Sequence, residues 1–208
     1  MTRRVLIYGD SNSYGTMPMA GFGDTGVFPK DVRWGGVLAA GLGDDFDIVV
    51  EGLGGRTSAF DDPIEGAYRN GLTILPAILH SHKPIDLLIV ALGTNDQKHR
   101  FGLMAEDVAL GIARLVREAL GSGTVAKVLV VAPPRLMLAG EFKEMFLGIE
   151  ERSVGLSGKI ERHVRAEGAA FFDAGEVISV DPLDGIHWNA AAHEVLGKAM
   201  VDVVRGLL

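Results

Sequence analysis

Short runs of Val, Ile and Leu alternate along this chain with longer stretches whose apolar residues recur at helical spacing. That alternation predicts βαβ units around a parallel sheet covered on both faces. Strands are expected over residues 4–9, 46–51, 86–92, 127–132 and 169–172, and helices over 32–42, 72–82, 105–120, 143–167 and 190–207. The class is α/β, with five strands and five helices taking turns.

All strands but the last run into a small or polar cluster: Gly9-Asp10-Ser11, then Gly52 to Thr57, then Gly93-Thr94-Asn95-Asp96, then Pro133-Pro134. In a parallel sheet these ends share one edge, where ligand sites usually form. Polar residues far apart in sequence are thereby expected to converge. Two irregular stretches, 16–30 and 135–142, leave from the same edge and are placed to wall a pocket.

The segment Asp184-Gly185-Ile186-His187 supplies a carboxylate and an imidazole three positions apart on one turn, so the acid can orient the ring and stabilise its protonated form. It lacks a nucleophile, and Ser11, directly after the first apolar run, is the candidate. Taken alone, Gly9-Asp10-Ser11 is read more readily as a turn with a helix cap than as a nucleophile loop. Gly54-Gly55 lets the backbone approach a ligand, though a glycine pair also serves as a tight turn. The Asn95 amide suits a developing oxyanion and equally suits a turn. Asp96 is expected to buttress that loop, and Asp10 to hydrogen-bond within its own.

Composition narrows the partners. A chain of 208 residues, 48% of them hydrophobic, can bury one substantial core, and residues 1–208 read as a single domain. The formal net charge of -7, without a basic cluster, argues against nucleic acid and acidic membrane surfaces and favours small neutral or apolar substrates. With no cysteine, disulfides and thiolate chemistry are excluded. The apolar run after Arg3-Arg4 is too short for a signal-peptide core, and no stretch reaches the length of a membrane span, so a cytoplasmic location is expected.

Gly9-Asp10-Ser11, the glycine of Gly54-Gly55-Arg56-Thr57, Gly93-Thr94-Asn95-Asp96 and Asp184-Gly185-Ile186-His187 stand in the order and approximate spacing of the four blocks of SGNH hydrolases, or GDSL esterases. The resemblance extends over nearly the whole chain and is nearest to the bacterial aryl esterase and acyltransferase (perhydrolase) branch. Asp31-Val32-Arg33-Trp34, Asp61-Asp62-Pro63 and Phe172-Asp173-Ala174-Gly175 add to it. It implies a three-layer α/β/α sandwich with a flavodoxin-like five-stranded parallel sheet. It makes Ser11 the nucleophile, His187 the base and Asp184 its orienting acid, with the N–H groups of Ser11 and Gly55 and the Asn95 amide around the oxyanion. It also implies two-step acyl transfer from a small-molecule ester, no cofactor, no metal and a homo-oligomer. The acyltransferase branch often carries a bulky aromatic shortly after the GDS block, whereas this chain has Asn12, Tyr14, Gly15 and the small Thr16, and a roomier or wetter acyl pocket is the expectation drawn from that difference.

Two rivals stand beside this reading. A carbohydrate O-acetyl esterase needs the same triad and differs only in its pocket. A nucleotide-binding flavodoxin-like module would use residues 52–57 as a phosphate cradle, but no Walker lysine or G-x-G-x-x-G spacing supports it. His80, His82, His99, His163 and His193 lack convincing metal-ligand spacing and read as surface, helix-end or packing residues. Met17, Met19, Phe22, Phe28, Met137, Leu138, Phe142 and Phe146 line either an apolar substrate channel or a subunit contact.

Overall fold

The apolar runs form the centre of a five-stranded, all-parallel sheet in the order β2-β1-β3-β4-β5. The structure, a computed structural model, describes residues 2–208. Its strands are β1 (Arg3–Gly9), β2 (Phe46–Gly52), β3 (Ile85–Ala91), β4 (Val125–Ala132) and β5 (Ala170–Asp173). Side chains alternate across a strand, so each continuous apolar run feeds both faces. Leu6, Tyr8, Leu88, Val90, Val128 and Val130 belong to one core, which is shared with α3 (Gly71–His82), α4 (Ala105–Gly121) and α6 (Leu156–Ala166). Val5, Ile7, Leu87, Ile89, Leu129 and Val131 belong to the other, with α2 (Trp34–Leu42) and α7 (Ala190–Leu207). Three layers result, and each fully buried large side chain contributes about 1.5–3 kcal/mol.

The register sets the site. Gly9 pairs level with Gly52 on one side and with Ala91 on the other, so the loops after β1, β2 and β3 leave from one line. The strand order is that of flavodoxin-like sheets, in which ligands sit beyond the carboxyl ends of the strands.

One expected helix does not form as read. Residues 143–167 are divided among a 3₁₀ stretch (Gly140–Phe146), α5 (Ile149–Arg152) and α6. Gly148 (φ 76°) and Gly155 (φ 71°) adopt the left-handed conformation just before α5 and α6, which breaks the helical path that the apolar spacing suggested. A helix not anticipated also appears, the single turn α1 (Ser11–Tyr14). Among the described residues no helix is long and apolar enough to cross a membrane.

Candidate active site

Ser11 opens α1, so its position follows from how that turn is held. Asp10 caps it with extended backbone (φ -99°, ψ -151°), and its carboxylate accepts the Asn12 N–H at 2.9 Å. The turn folds back so tightly on β1 that a Cβ at Gly9 would lie 2.1 Å from Ser13 Oγ. Glycine is required there by close approach. Ser11 keeps 7% of its surface exposed, enough to face a pocket while most of the residue is held in place.

The turn before α7 supplies the imidazole. Gly185 takes φ 73°, and a Cβ on it would meet the Met137 carbonyl at 2.0 Å. Asp184 Oδ1 accepts the N–H groups of Ile186 and His187, both at 2.9 Å. Asp184 Oδ2 accepts His187 Nδ1–H at 2.6 Å and the Met19 N–H at 2.8 Å. Burial alone would raise the Asp184 pKa, but the hydrogen bonds from the His187 ring and backbone and from the Met19 N–H, with the charge of the imidazole, outweigh it, and the carboxyl is held below its ordinary range. On the far side of the ring, Nε2 lies 3.1 Å from Ser11 Oγ. The resulting line from carboxylate to imidazole to hydroxyl joins residues 176 positions apart.

Asn12 makes that meeting specific, a role that sequence reading missed. Its side chain is 1% exposed, donates to the Ile186 carbonyl at 3.3 Å and accepts the Trp188 N–H at 3.1 Å. It therefore grips the backbone on both sides of His187. The only sequence signal was a short amide next to the serine, which names no partner.

Two further strand-end loops complete the wall. Residues 53–56 form a turn closed by Arg56 N–H to the Leu53 carbonyl at 3.1 Å, with Gly55 at φ 74°. Closure at Arg56 leaves the intervening N–H groups of Gly54 and Gly55 free of that turn's hydrogen bond. The Asn95 amide donates to the Arg56 carbonyl at 3.1 Å, tying its loop to this turn. Asp96 accepts the Ser58 N–H at 2.9 Å and also the Ser58 hydroxyl, so it buttresses the glycine loop. Buried Arg56 donates to the carbonyls of Gly9, at 2.8 Å, and Glu51, and lies 4.0 Å from the centroid of the Tyr8 ring. Burial raises the pKa of Asp10 to about 6 and that of Asp96 above its ordinary value.

Ser11, Gly54, Gly55, Asn95 and His187 all face one pocket of about 540 Å³. Loop 16–30 contributes Thr16, Met19 and Phe22, and the 3₁₀ stretch contributes Phe142 and Phe146. Met17, Phe28, Met137 and Leu138 do not line it. Phe28 packs edge-on to His193 at 5.4 Å, and Met137 is 48% exposed. The pocket lining also includes Glu65, Arg69 and Lys98, which the sequence did not flag.

The remaining histidines go elsewhere. His82 contacts Glu51 at 2.9 Å and His163 contacts Glu106 at 2.7 Å. His193 is fully buried and accepts the Trp34 N–H at 3.2 Å, and burial lowers its pKa to about 4. Among the described residues no group of three or more His, Cys, Asp or Glu side chains is arranged to hold a metal ion.

Residues 7–195 match the model of the GDSL-like lipase/acylhydrolase family. The native aryl esterase of M. smegmatis superposes with a TM-score of 0.94 at 42% identity, covering 100% of both chains. A carbohydrate acetylesterase from Sinorhizobium meliloti gives the same TM-score of 0.94 and 42% identity, again over 100% of both chains. A putative arylesterase from Agrobacterium tumefaciens gives 0.86 at 36% identity, with 100% of each chain covered. No curated protein matches the chain significantly. A family model spanning most of the chain and full-length relatives of this similarity make one conclusion plain: the chain belongs to the GDSL-like lipase/acylhydrolase family and is a carboxylic ester hydrolase.

Proposed function

We propose that the protein is a serine esterase that cleaves short-chain acyl or aryl esters through an acyl-enzyme. Ser11 attacks the ester carbonyl while His187 Nε2 takes its proton, and His187 then protonates the leaving alcohol. Water attacks the acyl-serine with His187 again as base. Asp184 stays ionised, fixes the ring with Nε2 toward Ser11 and stabilises the imidazolium. The oxyanion is met by the N–H groups of Ser11 and Gly55 and by the Asn95 amide, each worth on the order of a hundredfold in rate. The observation that carries this reading is the continuous 2.6 Å and 3.1 Å contact from Asp184 through His187 to Ser11, at the mouth of a pocket.

Tyr14 and Thr16 both line that pocket; the small Thr16 leaves room for water beside the acyl group, and an alcohol or peroxide that reaches the acyl-serine instead gives acyl transfer. A second reading, carbohydrate O-acetyl esterase, is favoured by the likeness to the Sinorhizobium meliloti enzyme. We further expect a cytoplasmic homo-oligomer that acts on small molecules rather than on nucleic acid or membranes, without a cofactor.

Hydrolysis of p-nitrophenyl acetate by the wild type and by Ser11→Ala, with and without chelator, tests the chemistry. Loss of activity in Ser11→Ala alone is expected. Equal rates in the two proteins refute the nucleophile, and loss of wild-type activity with chelator refutes the metal-free mechanism. Initial rates on acetylated sugars beside p-nitrophenyl acetate and butyrate separate the two substrate readings.

A further inference from the structure

The pocket is chemically mixed. Apolar Met19, Phe22, Phe142 and Phe146 and charged Glu65, Arg69 and Lys98 all line it. Lys98 Nζ contacts Glu65 Oε1 at 2.5 Å and Asp62 at 3.5 Å. Arg100 contacts Asp62 at 3.0 Å and Glu65 at 3.4 Å. Two carboxylates thus face two cations, and Arg69 is a third cation of the group, near Glu65 Oε2 across the Gly55 turn but in no ion pair with it. Among the described residues no carboxylate lies within ion-pair distance of Arg69, and its buried Nε has no hydrogen-bond partner.

Arg69 is also held against the oxyanion loop. Its carbonyl accepts the Thr57 N–H at 3.0 Å, and its own N–H donates to Gly66 at 3.0 Å, so the backbone beneath the side chain is fixed. A Cβ at Gly54 would lie 3.7 Å from Arg69 Nη1, and one at Gly55 would lie 3.4 Å from Arg69 Cζ. The guanidinium therefore stands directly beside the turn proposed to stabilise the oxyanion, with Tyr68 packed at 4.9 Å from Cζ. Asp24, the other acid lining the pocket, has its carboxylate occupied by the N–H groups of Ala20 at 2.7 Å and Gly21 at 3.3 Å.

A planar guanidinium that makes no hydrogen bond or ion pair within the protein, half-buried in a pocket wall, is matched by a planar oxyanion. We propose that Arg69 is a specificity-determining residue that recognises a carboxylate on the ester substrate; this rests on the esterase reading above. The preferred substrate is then an ester with a carboxylate on its acyl or its alcohol part. The overall negative charge of the chain does not forbid it, because charges beyond about 8 Å are largely screened at physiological salt while a direct contact is not.

Two matched pairs locate the contact: 4-nitrophenyl hydrogen succinate against its methyl ester for the acyl side, and 4-acetoxybenzoate against its methyl ester for the alcohol side. The wild type should favour the anionic member of one pair in kcat/KM. Arg69→Met should lower that anionic-to-neutral ratio about tenfold or more, the scale of one lost charge-assisted hydrogen bond, and Arg69→Lys should restore part of it. A ratio unchanged by Arg69→Met in both pairs, or a wild-type preference for the neutral member of both, overturns the proposal. Calorimetric binding of 4-acetoxybenzoate and 4-nitrophenyl hydrogen succinate to Ser11→Ala, with and without Arg69→Met, reads the same contact without turnover. Failure of the charge contact is thereby distinguished from failure of ester hydrolysis.

Discussion

Replacing Asn12 by Ala should lower activity without touching any group that reacts. The Asn12 side chain spans the backbone around His187, with bonds of 3.3 Å to Ile186 and 3.1 Å to Trp188. Truncation leaves a buried carbonyl and a buried N–H unpaired, at about 1–3 kcal/mol each. The 3.3 Å bond is near the long limit, so the lower part of that range, about 2–3 kcal/mol in total, is the expected loss of stability. If half of that is relieved by a small displacement of the His187 turn, the price in alignment is about 1.4 kcal/mol, or tenfold in rate. The assay pairs urea unfolding with p-nitrophenyl acetate kinetics at a temperature where the variant is fully folded. The expected result is kcat reduced about tenfold with KM nearly unchanged, because the substrate does not touch Asn12. A destabilised Asn12→Ala with wild-type kcat would show that the amide only holds the fold, and would refute its role in positioning His187.

Two other outcomes follow from the same geometry. Asp184→Asn keeps the shape of the side chain but loses the charge at 2.6 Å from His187 Nδ1, and kcat should fall by about a thousandfold or more, measured on the same ester. Asp10 bears on stability against pH: burial pushes its carboxyl up to about 6 in the fold from 3.8 in water, so its contribution is complete below 3.8 and lost as pH rises through about 6. His193 has the opposite slope, since its contribution is complete above 6.5 and lost as pH falls through about 4. The two largely cancel in the wild type between pH 4 and 6. Asp10→Asn, which can still cap α1, should expose the His193 slope and gain roughly 3 kcal/mol relative to wild type between pH 4 and pH 7. Urea titrations at the two pH values that give identical differences would contradict this.

The parts of the molecule legible in the sequence are those governed by local pattern. The strands are continuous apolar runs because both faces of a parallel sheet are buried, and each was placed to within a residue or two of its ends. The convergence of Ser11, Asn95 and the Gly54-Gly55 turn on one edge followed from parallel strand direction alone. The helix read over 143–167 failed for a reason equally local: apolar spacing continued through Gly148 and Gly155, and periodicity is blind to a left-handed residue that redirects the chain. The grip of Asn12 on Ile186 and Trp188 and the charged lining at Glu65 and Arg69 were not legible, because each depends on a partner supplied by tertiary packing rather than by a neighbour in sequence. Gly54 and Gly55 read alike as letters, whereas only Gly55 needs a positive φ, at 74°.

The Met19 N–H, 2.8 Å from Asp184, belongs to the same loop that carries Met19 and Phe22 into the pocket wall. In an enzyme whose selecting surface and reacting atoms lie on separate segments, natural drift or directed evolution can remodel one and spare the other. Along this loop they cannot be separated. A mutation that reshapes this stretch of wall to admit a new ester also shifts a donor to Asp184, the acid proposed to orient His187, so a change of preference gained there is expected to bring a change of turnover with it, and selection for both must find compensating substitutions outside the loop.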